Sequence, residues 1–262
     1  MIKGLFYNHH GGEPYFNMAM DEWLMGRAAE TPASLFLRLY TWRAPTITIG
    51  TNQRLETAVN RSSLGKTVVI RRVTGGRAVY HDLSELTYSI VVNREGLIND
   101  NLTGSLSHTL EKIAGALGSF LREEGVSSDY VRRSSQRDSE REFFHKAPCF
   151  AAHARFELVS GNQKVVASAQ RRAGSVLLQQ GSIKLFGVAP HRALTHLPGA
   201  VDAYREPIAS SAFTEYCRTF CRAVGSHLDI EFVSETLHTG EIKQIKRLAE
   251  RQKKISLDAL NR

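Results

Sequence analysis

The sequence predicts an α+β fold, a mixed β-sheet core flanked by helices. Three observations carry this expectation. Runs of alternating polar and apolar residues recur along the chain, a few longer stretches carry helical periodicity, and no repeat, low-complexity tract or interdomain linker divides them. With 262 residues, 42% of them hydrophobic, the chain can bury a sizeable core as one large domain or two small ones.

Residues 16–29 read as a helix entered at Pro14, because Met18, Trp23, Leu24 and Met25 can share a broad apolar face while Asp21, Glu22 and Arg27 stay in water. Residues 34–40 alternate Leu35, Leu37 and Leu39 against Ser34, Phe36 and Arg38, and Thr46-Ile47-Thr48-Ile49 alternates again before Gly50; both read as strands. A polar loop at Asn52-Gln53-Arg54 precedes a short helix near 56–62. The functional reading turns on the next stretch. Val69-Ile70-Arg71-Arg72-Val73-Thr74-Gly75-Gly76-Arg77-Ala78-Val79-Tyr80-His81-Asp82 reads as a strand, a two-glycine turn and a second strand, and 86–92 continues as another. Residues 102–124 form the clearest helix, with Leu106, Leu110, Ile113, Leu117, Phe120 and Leu121 every three or four positions and Gly125 closing it. Residues 132–146 show no period and read as a loop. A hairpin is expected over 155–170 with its turn at Gly161-Asn162, then a strand at 175–183, a helix at 213–224, a strand at 230–233 and a basic helix at 241–254.

Composition narrows the function. No run approaches the roughly 18–20 apolar residues of a membrane span, and residues 1–6 lack the pattern of a signal peptide, so a cytoplasmic protein is expected. Cys149, Cys217 and Cys221 make an odd set without a CxxC pair, which suggests free thiols. A net charge of +8 and a pI near 9.5 imply an acidic partner. Nucleic acid, a membrane surface or an acidic protein would each satisfy that charge, but the most basic tract, 243–254, lacks the aromatics that interleave in many nucleic-acid binders.

Several residue groups could carry chemistry. The Gly75-Gly76 backbone, bare of side chains and flanked by arginines, could approach a phosphate, carboxylate or polarised carbonyl; it could equally be an ordinary hairpin with solvated arginines. Cys149 follows a charged loop, where a thiol can be exposed and reactive, although a buried inert cysteine fits the same residues. Cys217 and Cys221, four apart on a helix with no further ligand nearby, read as core. Lys164 opens a strand of small and apolar residues, Val165 to Ala169. It either points to water or turns inward beside Cys149, where its charge would favour the nucleophilic thiolate. His81-Asp82 is either an oriented imidazole with its carboxylate or a turn with a capping Asp; neighbours on a strand face opposite ways, which argues against a direct dyad. His9, His10, His191 and His196 lack zinc-site spacing, so no metal is expected, and a G-x-S-x-G elbow is missing.

The stretch Arg71-Arg72-Val73-Thr74-Gly75-Gly76-Arg77-Ala78-Val79-Tyr80-His81-Asp82 resembles the lipoyl-binding motif of the lipoate ligase, octanoyltransferase and biotin ligase superfamily. Gly161, Lys164, Ser168, Ala169 and Gln170 resemble that family's second motif, which carries its essential lysine, and Ala147-Pro148-Cys149-Phe150 and Gln180-Gly181-Ser182 extend the match in order. The resemblance implies a catalytic domain of the biotin and lipoate ligase type spanning 1–262 without a separate carboxy-terminal accessory domain. Arg77 where ligases typically have a third glycine, the presence of Cys149 and the short length are similar to the cysteine-dependent octanoyltransferase branch. Ala167 and Gln180 depart from the family, which usually has Gly and His there.

For that branch the resemblance implies transfer of an octanoyl group from octanoyl-acyl carrier protein, through a thioester on Cys149, to a lysine of a lipoyl domain such as the glycine cleavage H protein. Lys164 would activate the thiol and hold the carbonyl oxygen. Arg71, Arg72, Thr74, Gly75, Gly76, Arg77, Ala78, Val79, His81, Ser168, Ala169, Gly181 and Ser182 would bind substrate. No cofactor, nucleic acid or membrane is implied, and a monomer is expected. Three other readings stay open: an ATP-dependent lipoate or octanoate ligase in which Lys164 and the glycine loop hold an acyl-adenylate, a non-catalytic acyl-protein binding module, and a nucleic-acid binder suggested by pI alone.

Overall fold

The strand-forming runs collect into two sheets in a computed structural model, which describes residues 2–130, 149–151, 157–161, 163–194 and 205–260. In chain order these hold β1 (Ile2–Gly12), α1 (Pro14–Glu30), β2 (Leu35–Trp42), β3 (Thr46–Ile49), α2 (Leu55–Ala58), β4 (Val68–Arg71), β5 (Val79–His81), β6 (Leu86–Asn93), α3 (Asp100–Thr103), α4 (Leu106–Glu123), β7 (Asp129–Tyr130), β8 (Leu158–Ser160), β9 (Gln163–Ala173), β10 (Val176–Ile183), α5 (Ser210–Leu228), β11 (Ile230–Ser234) and α6 (Thr239–Leu260). The large sheet has eight strands in the order β11-β1-β2-β6-β10-β9-β8-β7, and the small one has three in the order β4-β3-β5. β1 pairs in parallel with both β2 and β11, while β2, β6, β10 and β9 are antiparallel, so the large sheet is mixed, as the sequence predicts.

Period two sorts the side chains of the large sheet onto two cores. One face buries Leu37, Leu39, Tyr88 and Ile90 against Ile113, Leu117 and Phe120 of α4 and Phe213, Phe220 and Val224 of α5. The other buries Tyr7, Phe36, Val91 and Leu178 against Met20 and Leu24 of α1 and Ile245 of α6. The small sheet packs Ile47, Ile49, Val69 and Tyr80 on a third cluster with Leu55, Ala58 and Leu194.

Four expectations change. β1 was not anticipated, because Asn8-His9-His10-Gly11-Gly12 masks its period; pairing on both edges, with β11 and β2, makes it a strand. Residues 102–124 do not form one helix: Ser105 accepts from His108 N at 3.2 Å and starts α4 afresh after Gly104. The helix near 56–62 divides into α2 and a 3-10 turn at Arg61–Ser63, the latter begun by Asn60 accepting from Ser62 N. Asp21 is buried rather than wet, as is Arg38 on the polar side of β2, because each pairs with the other at 2.7 Å. The expected loop 132–146, Ala147, Pro148, Asn162, His196 and the start of the hairpin at Arg155 and Phe156 lie outside the described residues.

Candidate active site

The glycine stretch is not a hairpin. β4 and β5 both pair with β3, β4 in parallel and β5 antiparallel, so 72–78 crosses the end of β3 instead of reversing the chain beside it. Register then decides which side chains meet. Thr48 lies opposite Val79 and opposite Ile70, and His81 and Arg72 lie two residues further along their strands, so all five share one face. Arg71 faces the other way, and its Nη1 donates to the carbonyls of Gly50, Thr51 and Gln53 at 2.7–3.1 Å.

Arg72 ties the crossing together. Its Nε donates to Thr74 Oγ1 and Gly75 O, its Nη1 to Thr48 O and Oγ1, and its Nη2 to Gly75 O and Arg77 O, all at 2.7–3.2 Å. Burial lowers its pKa to about 10, against the opposing pull of Cys149 and Tyr40. Of the two glycines, Gly76 is the one the geometry demands: its φ is +89°, and a Cβ there would stand 2.8 Å from Arg72 Nη2, whereas a Cβ on Gly75 meets nothing within 4 Å.

Cys149 docks on the exit of this crossing. Its N–H donates to Ala78 O at 3.0 Å, and its own carbonyl accepts from Lys164 Nζ at 2.5 Å. Lys164 has turned inward, 1% exposed, with its charge against Glu157 Oε2 at 2.7 Å. The lysine therefore grips the main chain of Cys149, and a carboxylate the sequence did not single out stands beside it.

Between the two sheets lies a pocket whose empty volume, open mouth included, is about 420 Å³. Cys149, Arg72, Gly76, Val79 and His81 line it from the small-sheet side, with Thr48; Ala167, Ser168, Ala169, Gln180, Gly181 and Ser182 line it from β9 and β10, with Met18 and Tyr40 closing it. The pocket thus gathers Cys149, Arg72, Gly76, Val79, His81, Ser168, Ala169, Gly181 and Ser182 from the sequence-based set. Arg71, Thr74, Gly75, Arg77 and Ala78 stand outside its lining, and Lys164 reaches it through Cys149.

A polar shell surrounds this space, satisfied among the described residues except at Ser182 Oγ and Arg38 Nε. Asp21 accepts from Arg38 and Ser89 at 2.7 Å and from Gln180 Nε2 at 2.8 Å, and Thr74 Oγ1 donates to Gln180 Oε1 at 2.7 Å. The family departure Gln180 is thereby the bridge between α1 and the glycine crossing. On the other side, His81 Nδ1 lies 2.5 Å from Glu85 Oε1 and its Nε2 lies 2.8 Å from Thr48 Oγ1, while the Trp42 ring stacks on it at 4.3 Å. Lys184 binds Glu85, Asp82 and Tyr80 O. Asp82 also accepts from Ser84 N at 2.8 Å, the capping role, so His81 takes its carboxylate from Glu85 and not from its neighbour. Thr48, Glu85, Glu157 and Lys184 escaped sequence reading; the visible signal was the threonine in Thr46-Ile47-Thr48-Ile49, whose polar side faces the pocket and not water. Cys217 and Cys221 pack against the α4–α5 core, and burial pushes both thiols up to about 12. Among the described residues no cluster of His, Cys, Asp and Glu has the form of a metal site, and no helix is long and apolar enough to cross a membrane.

The profile of the Lipoyl protein ligase A/B catalytic domain matches residues 13–197. The chain belongs to that family. Within this lipoyl protein ligase A/B family, Octanoyltransferase LipM of Moorella thermoacetica is 41% identical over 180 residues, 66% of this chain and 62% of that protein. The protein of the same name from Kyrpidia tusciae is 32% identical over 231 residues, 87% of this chain and 82% of its own. The match to the Moorella protein thus spans less than two thirds of its length, as does that to the Clostridioides difficile protein of the same name, again at 62%. In fold, the chain is similar to lipoate-protein ligase A bound with ATP, with a TM-score of 0.69 over 95% of this chain and 95% of that one at 18% identity. The bi-partite lipoate protein ligase of Thermoplasma acidophilum gives 0.65 at 16% identity, over 96% of this chain and 93% of that one.

Proposed function

We propose that the chain is an acyltransferase that moves an octanoyl group from octanoyl-acyl carrier protein to a lysine of a lipoyl-accepting protein, the glycine cleavage H protein being the acceptor expected from sequence. One observation carries the reading: Cys149 lines the pocket while its main chain is fixed at both ends, by Ala78 O and by Lys164 Nζ. Support also comes from family membership and from relatives named octanoyltransferases.

In this reading Cys149 Sγ, as thiolate, attacks the thioester carbonyl, the bond from that carbon to the carrier sulfur breaks, and the carrier leaves as its thiolate and takes up a proton. The exchange joins groups of similar energy and needs no ATP. The acceptor amine then attacks the Cys149 thioester and leaves as an amide. Arg72 is the cation whose charge interacts with that of Cys149. Lys164 holds the Cys149 carbonyl, which sets where the sulfur stands; of its three N–H donors, one is assigned to the substrate carbonyl oxygen. Val79, Ala167, Ala169 and Met18 offer the acyl chain an apolar wall. The single-domain organisation belongs to the same reading, supported by β11 extending the large sheet beside β1 and by α6 packing on α1.

Intact mass spectrometry after mixing with octanoyl-acyl carrier protein tests it. An octanoyl adduct on Cys149, lost together with transfer in Cys149→Ala, is the expected result; full transfer by Cys149→Ala overturns it. An ATP-dependent ligase would instead require ATP and free acid. The Arg72 guanidinium is spent on main-chain carbonyls and Thr hydroxyls, and Arg71 faces away from the pocket with its Nη1 on the carbonyls of Gly50, Thr51 and Gln53, which leaves both poorly placed for a triphosphate in the pocket.

A further inference from the structure

One buried cluster touches the pocket without a role in the scheme above. Thr48 and His81 both line the pocket with Cys149. A carboxylate can only accept hydrogen bonds, so the His81 nitrogen facing Glu85 carries the proton, and Nε2 presents its lone pair to the Thr48 hydroxyl. Arg72 Nη1 donates to that same Thr48 oxygen at 3.2 Å, which directs the hydroxyl's own hydrogen toward Nε2. Glu85 is itself fixed by Thr87 Oγ1 at 2.7 Å and by Lys184, and Trp42 both stacks on the imidazole and donates to Thr87 at 2.8 Å. The result is a rigid hydroxyl–imidazole–carboxylate line that ends in the pocket. Such a line takes a proton from a reacting group, with Glu85 favouring the imidazolium against the burial that lowers the His81 pKa. The charged groups facing the ring are Glu85 from the loop after β5, Arg72 from the end of β4 and Lys184 from the end of β10, with Asp82 behind Lys184.

Resting on the acyltransfer reading, we propose that Thr48, His81 and Glu85 form the proton relay for the acceptor amine in the second half of the reaction. A lysine side chain arrives as an ammonium ion at neutral pH, and only the free amine can attack. The ammonium gives one proton to Thr48 Oγ1 as the Thr48 proton passes to His81 Nε2. The amine lone pair then forms the bond to the acyl carbon, the bond from that carbon to Cys149 Sγ breaks with its electron pair going to sulfur, and the second nitrogen proton moves to that sulfur. The products are the amide, the Cys149 thiol and a His81 imidazolium that returns its proton to water by the same hydroxyl.

The test begins from the octanoyl-Cys149 enzyme, whose formation is itself checked by mass, so failure to form it counts against the acyltransfer reading and not against the relay. Two acceptors are then compared at pH 7: a lipoyl domain, whose lysine must lose a proton, and hydroxylamine, which arrives neutral. In Thr48→Val the rate with the lipoyl domain is expected to fall on the order of 10²-fold relative to the rate with hydroxylamine, and His81→Gln, which keeps a hydrogen-bonding group but no base, shows the same split. Thr48→Ser restores the ratio toward that of the parent. Equal losses with both acceptors in Thr48→Val and His81→Gln would assign these residues a structural role and overturn the relay, as would an unchanged ratio.

Discussion

Gly50→Ala is the substitution whose effect follows most directly from the structure. Gly50 ends β3 beneath the glycine crossing, and a Cβ built on it would stand 2.0 Å from Gly76 O, 3.0 Å from Gly76 C and 3.1 Å from Gly75 C. All three are main-chain atoms, so no side-chain rotation relieves the contact and the crossing must retreat by about 1 Å to reach a tolerable separation. The crossing is held by Arg72 through Gly75 O and Arg77 O, and it carries Ala78 O, which anchors Cys149. Overpacking of this kind costs about 1–3 kcal/mol, and loss of one hydrogen bond from a charged donor adds about 1.5–3 kcal/mol. The sum is about 2.5–6 kcal/mol, a fall in Tm on the order of 10 °C for a chain of this size. Urea titration with thermal melting reads the stability, and the rate of adduct formation on Cys149 reads the displacement. Gly75→Ala is the control, since its Cβ meets nothing within 4 Å and its φ is not positive; it is expected within about 0.5 kcal/mol of the parent. Near-parental stability and adduct rate in Gly50→Ala would refute the claim that the crossing is clamped.

Lys164→Met keeps the length of the side chain but leaves the Glu157 carboxylate buried without its cation, and is expected to cost about 3–5 kcal/mol in urea titration; adding Glu157→Gln should recover part of that loss. Alkylation with iodoacetamide at pH 8 should modify Cys149 first, because burial pushes Cys217 and Cys221 up to about 12; peptide mapping that found Cys221 labelled as fast would contradict this. Burial alone would raise the Glu85 pKa, but the charges and hydrogen bonds of His81 and Lys184 outweigh it and hold the carboxyl at about 2. A folded pKa below the unfolded 4.5 adds stability that is fully present above pH 4.5 and is lost as pH falls toward 2, on the order of 3 kcal/mol. Glu85→Gln, less stable at pH 7, should therefore lose less over that acid range than the parent, as measured by urea midpoints at each pH.

What the sequence disclosed follows from how each element is stabilised. Apart from β1, the longer strands, α4 and α5 carry their period in the residues themselves, so Leu35-Phe36-Leu37 or Ile113 to Leu121 could be placed on their faces directly. The polar side of the pocket could not. Thr46-Ile47-Thr48-Ile49 has the alternation of a half-exposed strand, yet Thr48 is 1% exposed, because the face that looks polar is covered by a second sheet. Asp21 reads as solvent-facing on its helix because its partner, Arg38, is distant in sequence. Their mutual ion pair depends on α1 crossing β2, a long-range arrangement that no local pattern encodes. Glu157 was silent because a strand glutamate is normally wet, and only the turn of β9 that brings Lys164 inward makes it a partner. Cys149 and Lys164 could be named from their motifs; that the lysine would hold the cysteine's carbonyl needed coordinates.

The shell around the pocket also explains why so apolar a space tolerates so many polar neighbours. Arg72 has its donors occupied by main-chain oxygens and two threonines, Gln180 is bonded on both sides, and His81 is held between Glu85 and Thr48. Apart from Ser182 Oγ, which is buried without a hydrogen-bond partner among the described residues, these polar groups are turned toward one another, so much of the wall that an alkyl chain meets is carbon. Gln180 matters here because an amide donates to Asp21 and accepts from Thr74 in one fixed sense at any pH. A histidine at that position would meet the same two partners with one donor and one acceptor only while neutral. Once protonated it would direct a donor at the Thr74 hydroxyl, already the acceptor for Arg72 Nε, and set two cationic donors on one oxygen beside Cys149. The glutamine thus carries its share of the link between α1 and the glycine crossing without titrating itself.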